Sequence, residues 1–232
     1  INVRDMDPRR YGTWARGDYA VAKSIDEYQE MYQPPLPGEF REAGRPIRVT
    51  PLYDTLRAQG AVFGDTFGWE RAKWFDPKGE GERYSFKRNN SFSAVAEECK
   101  AVRERAGLLD LSSFAKFDIS GTDSYDFLSR LCANRIPKKE GGIALVHLLT
   151  DLGGIECEGT VARLSGDRFY FLSTAVAELH DEDWLVQQRK PEEQVEITNV
   201  TDDYGMVLNA EVLTPIPAYD GLIRLKADVL RQ

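Results

Sequence analysis

The chain has 232 residues, 42% of them hydrophobic and 11% aromatic, which is enough for one large or two small domains with a buried core. Its formal net charge of -8 argues against a nucleic-acid or anionic-membrane partner. No apolar run is long enough to span a bilayer, and the opening INVRDMDPRR lacks the apolar stretch of a secretory signal. Cys99, Cys132 and Cys157 have no paired spacing, so buried thiols in a reducing compartment, cytoplasmic or mitochondrial matrix, are expected. The only histidines are His147 and His180, so no metal site is expected.

In chain order, Asp18 to Tyr32 reads as a helix with Asp18 as N-cap and a stripe of Val21, Ile25, Tyr28 and Tyr32. Pro34, Pro35 and Pro37 end it and begin a linker. Thr50-Pro51 opens a short helix to about Gln59, and Ala61 to Gly64 reads as a strand. Phe67, Trp69, Trp74, Phe75, Tyr84, Phe86 and Phe92 follow, either as packing or as an aromatic floor for a planar ligand. Residues 93–106 read as a helix stopped by Gly107, with Ala94, Val95, Cys99, Val102 and Ala106 as its buried stripe. A strand over Ala115 to Ser120 and a helix over Asp123 to Ala133 come next.

The most informative stretch is Ala144 to Ser173. It reads as three successive strands, with turns at Asp151-Leu152-Gly153-Gly154 and Ser165-Gly166-Asp167. In the middle strand strict alternation sends Ile155, Cys157, Gly159 and Val161 one way and Glu156, Glu158 and Thr160 the other. The two glutamates then share a face, either solvated or placed for use. A helix from about Val176 to Arg189 and strands over Val195 to Val200 and Tyr204 to Asn209 complete the pattern, and Leu222 to Leu230 is at most a short helix. Helices are too few to cover both faces of a parallel sheet, so the fold class is α+β, mostly antiparallel, with helices packed on one face. Phe117, Phe127, Leu128, Leu131, Val161 and Phe171 are expected in one core. Gly79-Glu80-Gly81 lacks the strand and third glycine of a dinucleotide fingerprint, so no FAD site is expected within the chain. Lys138-Lys139 is a solvated turn or an anion-binding lip.

Several blocks carry a resemblance. Pro51-Leu52-Tyr53-Asp54, Phe67-Gly68-Trp69-Glu70-Arg71, Asp110-Leu111-Ser112-Ser113, Leu131-Cys132-Ala133-Asn134-Arg135, Gly153-Gly154-Ile155-Glu156-Cys157-Glu158 and Leu179-His180-Asp181 occur in order. With them the chain resembles the dimethylglycine/sarcosine dehydrogenase family over nearly all of residues 1–205. The resemblance implies residues 1–33 as the tail of an FAD-dependent oxidoreductase domain and 34–92 as a linker and aromatic-rich connecting segment. It implies 93–210 as the first half of an aminomethyltransferase-like folate-binding domain, with 211–232 divergent and the folate pocket incomplete.

The implied chemistry is N-demethylation of an amine with transfer of the one-carbon unit to tetrahydrofolate, FAD being the oxidant in the family. In the family pattern an acid follows Gly-Gly-Ile after two variable positions, and here it is Glu158, implied to hold the reacting folate nitrogen and take its proton. Tyr204 is implied as a second folate-binding residue. Relatives usually carry Asp at the position of Glu158, Leu at that of Gly159 and, in aminomethyltransferases, Asn at that of Thr150. The implied partners are a small-molecule folate and a separate FAD-containing chain or missing domain, with no nucleic acid and no membrane. The alternative reading is a non-catalytic folate-binding or interaction module of the same fold.

Overall fold

The computed structural model describes residues 11–216 and 219–231, with side chains through residue 208. In chain order the elements are α1 (Asp18–Gln29), α2 (Tyr53–Ala58), β1 (Ala61–Thr66), β2 (Trp69–Phe75), α3 (Phe92–Glu104), β3 (Ala106–Asp110), β4 (Ala115–Ser120), α4 (Ser124–Leu131), β5 (Ile143–Leu149), β6 (Ile155–Ser165), β7 (Arg168–Ser173), α5 (Glu178–Gln188), β8 (Glu196–Asn199), β9 (Tyr204–Ile216) and β10 (Tyr219–Arg231). They fall into two compact units, one built on Phe114–Tyr204, the other on Gly12–Ser113 with the chain from Gly205 onward.

In the Phe114–Tyr204 unit a five-stranded sheet runs in the order β5-β6-β7-β4-β8, every neighbouring pair antiparallel. Phe117 pairs with Phe171, and Phe171 with Val161, so the register places these side chains on one face. That face meets Phe127, Leu128 and Leu131 of α4 and Leu185 of α5 in a single core cluster. The expected class, α+β and mostly antiparallel with helices on one face, is the observed one, and all six expected core residues lie in this cluster. Cys132 is buried there, and burial pushes its thiol up to about 12. Cys157 packs at the edge of the cluster, whereas Cys99 is exposed, against the expectation of three buried thiols.

Two glycines are needed where they stand. Gly121 has φ +122, and a Cβ there would lie 2.0 Å from the carbonyl oxygen of Gln194. A Cβ on Gly159 would lie 2.4 Å from Cε2 of Phe171 and 2.7 Å from the carbonyl oxygen of Leu172. The Phe171 ring fills the space that a side chain at 159 would take.

The other unit departs from the expected pattern in several places. β1 and β2 form a hairpin whose loop, Phe67-Gly68, has φ 56 and 82, and Asp65 Oδ1 accepts the Gly68 N–H at 2.8 Å. β2 runs through the aromatic cluster without alternating: Trp69 and Glu70 are both buried, Glu70 held by a two-pronged pairing with Arg45 at 2.7 and 2.9 Å. Thr50 does not cap α2; its hydroxyl donates to the carboxylate of Asp110. α1 ends at Gln29, its N-cap is Gly17 rather than Asp18, and the expected stripe is exposed, Tyr28 at 77% and Tyr32 at 94%. α3 forms where expected, but Val95 and Cys99 are exposed and Gly107 lies inside β3 instead of stopping the helix. The covered side of α3 is turned toward Glu98, whose Oε1 accepts the Phe75 N–H at 2.9 Å. β3 pairs with β9, and β9 with β10, so Leu222 to Leu230 is strand and not helix.

Candidate functional site

The β5–β6 hairpin is the scaffold of the candidate site. Its register pairs His147 with Glu158 and Leu148 with Cys157, but Leu149 with Ile155. Glu156 is the extra residue of a β-bulge, which turns one side chain out of the alternation. The expected shared face therefore does not exist. Glu156 reaches the helix layer, where its Oε1 lies 2.8 Å from His180 Nε2 on α5. His180 Nδ1 lies 2.8 Å from Asp181 Oδ1, and the Asp181 side chain is 1% exposed. A buried carboxylate, an imidazole and a second, half-buried carboxylate thus tie α5 to the strand.

Glu158 follows the regular alternation and lies on the sheet face away from the helices. Its Oε2 is 2.8 Å from His147 Nε2, and the two side chains are 60% and 32% exposed. Among the described residues Glu158 lies on an open stretch of this face. Farther along that face stand Tyr170 and Tyr204, their ring centroids 5.9 Å apart. Ala162, the register partner of Tyr170, is four residues on from Glu158 in β6, about 13 Å at strand rise. Glu158 and Tyr204, the two residues named from sequence, therefore occupy two stations on one face. Asp118 and Lys116 share it: Arg168 Nε donates to Asp118 Oδ2 at 2.8 Å, and the buried Lys116 Nζ donates to the Phe114 carbonyl at 2.8 Å. The hydrogen bond to Asp118 raises the Arg168 guanidinium further above its usual range.

Tyr170 is pushed up to about 12, first by burial and then by its hydrogen bond to Tyr204. A folded value above the ordinary 10.0 means that the neutral phenol is the favoured form. Its contribution to stability is whole below pH 10.0 and is lost as pH rises through about 12. Alkaline absorbance titration of the native protein is expected to show a late-ionising tyrosine that Tyr170→Phe removes. Titration of every tyrosine at the denatured value would refute this.

His147, His180 and Asp181 carry the polar geometry of the hairpin, and composition alone did not single them out. Counting back across the Gly153-Gly154 turn gives His147 only once the bulge is known, because an unbroken ladder shifts the pairing by one residue. Among the described residues no cluster of His, Cys, Asp and Glu is arranged to hold a metal ion.

The family model described as "GCVT N-terminal domain" matches residues 52–209. The chain belongs to the GCVT N-terminal domain family. Residues 1–50 match a second model, "FAD dependent oxidoreductase central domain". Mouse mitochondrial dimethylglycine dehydrogenase is 39% identical over 211 residues, covering 89% of this chain and 24% of that protein. The formaldehyde-forming 4-methylaminobutanoate oxidase of Paenarthrobacter nicotinovorans is 36% identical over 167 residues, 71% of this chain and 20% of that one. The recognised resemblance to the dimethylglycine and sarcosine dehydrogenases is thus shown, and the chain spans about a quarter of the length of these curated relatives. Among solved structures, aminomethyltransferase T of the glycine cleavage system from Bartonella henselae superposes with a TM-score of 0.57 at 21% identity, over 70% of this chain and 40% of that one. This last likeness shows the fold alone.

Proposed function

We propose that this chain is the folate-side portion of an amine N-demethylating oxidoreductase whose one-carbon unit is passed to tetrahydrofolate. The observation that supports this best is Glu158: it holds the acid position of the Gly-Gly-Ile pattern, on an open sheet face, with Oε2 engaged by His147. The face fits such a ligand. A carboxylate can receive N–H donors at one station, and about 13 Å along the sheet the half-buried Tyr204, backed by the buried Tyr170, stands at the other.

Tetrahydrofolate, when bound, supplies the nitrogen nucleophile that captures the one-carbon unit. Glu158 Oε1 accepts the hydrogen bond from that nitrogen and takes its proton as the new bond forms. Tyr204 flanks the ligand from the far station. Flavin chemistry, oxidation of the N-methyl carbon, belongs with the oxidoreductase portion, a domain or separate chain to which residues 1–50 relate. The mitochondrial relative supports placement in the matrix, and among the described residues no helix is long and apolar enough to cross a membrane.

The test is Glu158→Gln in the full-length protein, with Glu156→Gln as control. A hydrogen bond to a charged acceptor is worth about 1.5–3 kcal/mol, so tetrahydrofolate affinity or methylene-tetrahydrofolate yield is expected to fall tenfold or more, by about that energy. Glu156 is committed to His180, so its variant is expected to keep folate affinity and lose stability instead. Equal affinity and equal yield for wild type and Glu158→Gln would return this residue to a solvated strand face.

A further inference from the structure

We propose that His147 is the positioning residue for the Glu158 carboxylate, holding one oxygen so that the other is aimed at the one-carbon acceptor. This rests on the reading of Glu158 given above. The pair sits directly opposite in register, on adjacent strands, so the backbone fixes the approach of the two side chains. His147 Nε2 donates to Oε2 at 2.8 Å, within the range of a charge-assisted hydrogen bond.

The pair does little for the stability of the sheet. Both residues lie on the open face, Glu158 at 60% exposure, and exposed ion pairs contribute little. The Glu158 side chain is 60% exposed among the described residues, so packing leaves much of its rotamer freedom in place. His147 is the group that removes this freedom. An acid that must meet one nitrogen in one geometry gains from arriving already oriented, since misplacement by about 1 Å can cost two orders of magnitude in rate. The bulge contributes by diverting Glu156 to His180, so that the second carboxylate of the strand does not compete for His147.

The test is a double-mutant cycle in the full-length protein, read as methylene-tetrahydrofolate formed per amine oxidised, with free formaldehyde measured alongside. His147→Ala is expected to lower capture about threefold to tenfold and leave the melting midpoint unchanged. His147→Gln, which keeps an N–H donor, is expected to recover most of the loss. In the Glu158→Gln background His147→Ala is expected to have no further effect, because there is no carboxylate left to orient. If Glu158→Gln lowers capture while His147→Ala does not, or if the two losses simply multiply, the positioning role is overturned and the folate reading stands. If Glu158→Gln itself changes nothing, both fall together.

Discussion

Phe127→Ala is expected to destabilise the Phe114–Tyr204 unit by about 3–5 kcal/mol, the usual cost of emptying a large side chain from a closed core. Phe127 is fully buried on α4, in the cluster that joins this helix to β4, β5, β6 and β7. The neighbours cannot collapse into the space, because β-strands on one side and α4's own Leu128 and Leu131 on the other are fixed by their ladders and turns. A drop in the urea midpoint, with hydrogen exchange speeding in β4 and β7, would localise the loss to this unit. Phe86→Ala is the control: that ring is 79% exposed, and the change is expected to stay within about 0.5 kcal/mol. A midpoint for Phe127→Ala as little changed as the control's would refute the placement.

Gly159→Leu is the second large effect. By hydropathy the substitution adds only an apolar side chain to a strand. In this chain it does more, because its Cβ would stand 2.4 Å from Phe171, itself held in the core. Overpacking of a filled core costs about 1–3 kcal/mol, and occasionally more. Gly159→Ala already meets the contact, so it should lie between wild type and Gly159→Leu. Combining Gly159→Leu with Phe171→Ala should cost less than the two separate losses added, since truncating the ring vacates space that the leucine fills. The recovery is expected to be partial, because the Leu172 carbonyl oxygen, 2.7 Å from the same Cβ, remains. Additive losses in thermal midpoints would show that the ring is not what excludes a side chain at 159.

The five-stranded sheet and its core were legible because period-two alternation in β4, β6 and β7 and the α4 stripe agree on one buried face. The same reasoning failed where periodicity is broken or unpartnered. β2 escaped notice because Glu70, paired with Arg45, is buried next to Trp69, so no alternation appears. The α1 and α3 stripes have helical spacing, yet a stripe is core only if another layer meets it, and among the described residues none covers Tyr28, Val95 or Cys99. At the candidate site Glu158 could be named from its place in the family pattern. Its partner His147 and the diversion of Glu156 depend on one unpaired residue, which no count along the strand reveals.

That extra residue also makes the two carboxylates separable in evolution. Deleting Glu156 alone would let Leu148–Cys157 and Leu149–Ile155 become consecutive rungs of an unbroken ladder. Glu158 would remain opposite His147, while His180 would lose its link to the strand. A lineage can therefore discard the tie between helix and sheet in a single step without moving the acid on the open face. The reverse step, insertion of one residue at the same point, adds a new contact to the helix layer without shifting any residue from Cys157 onward.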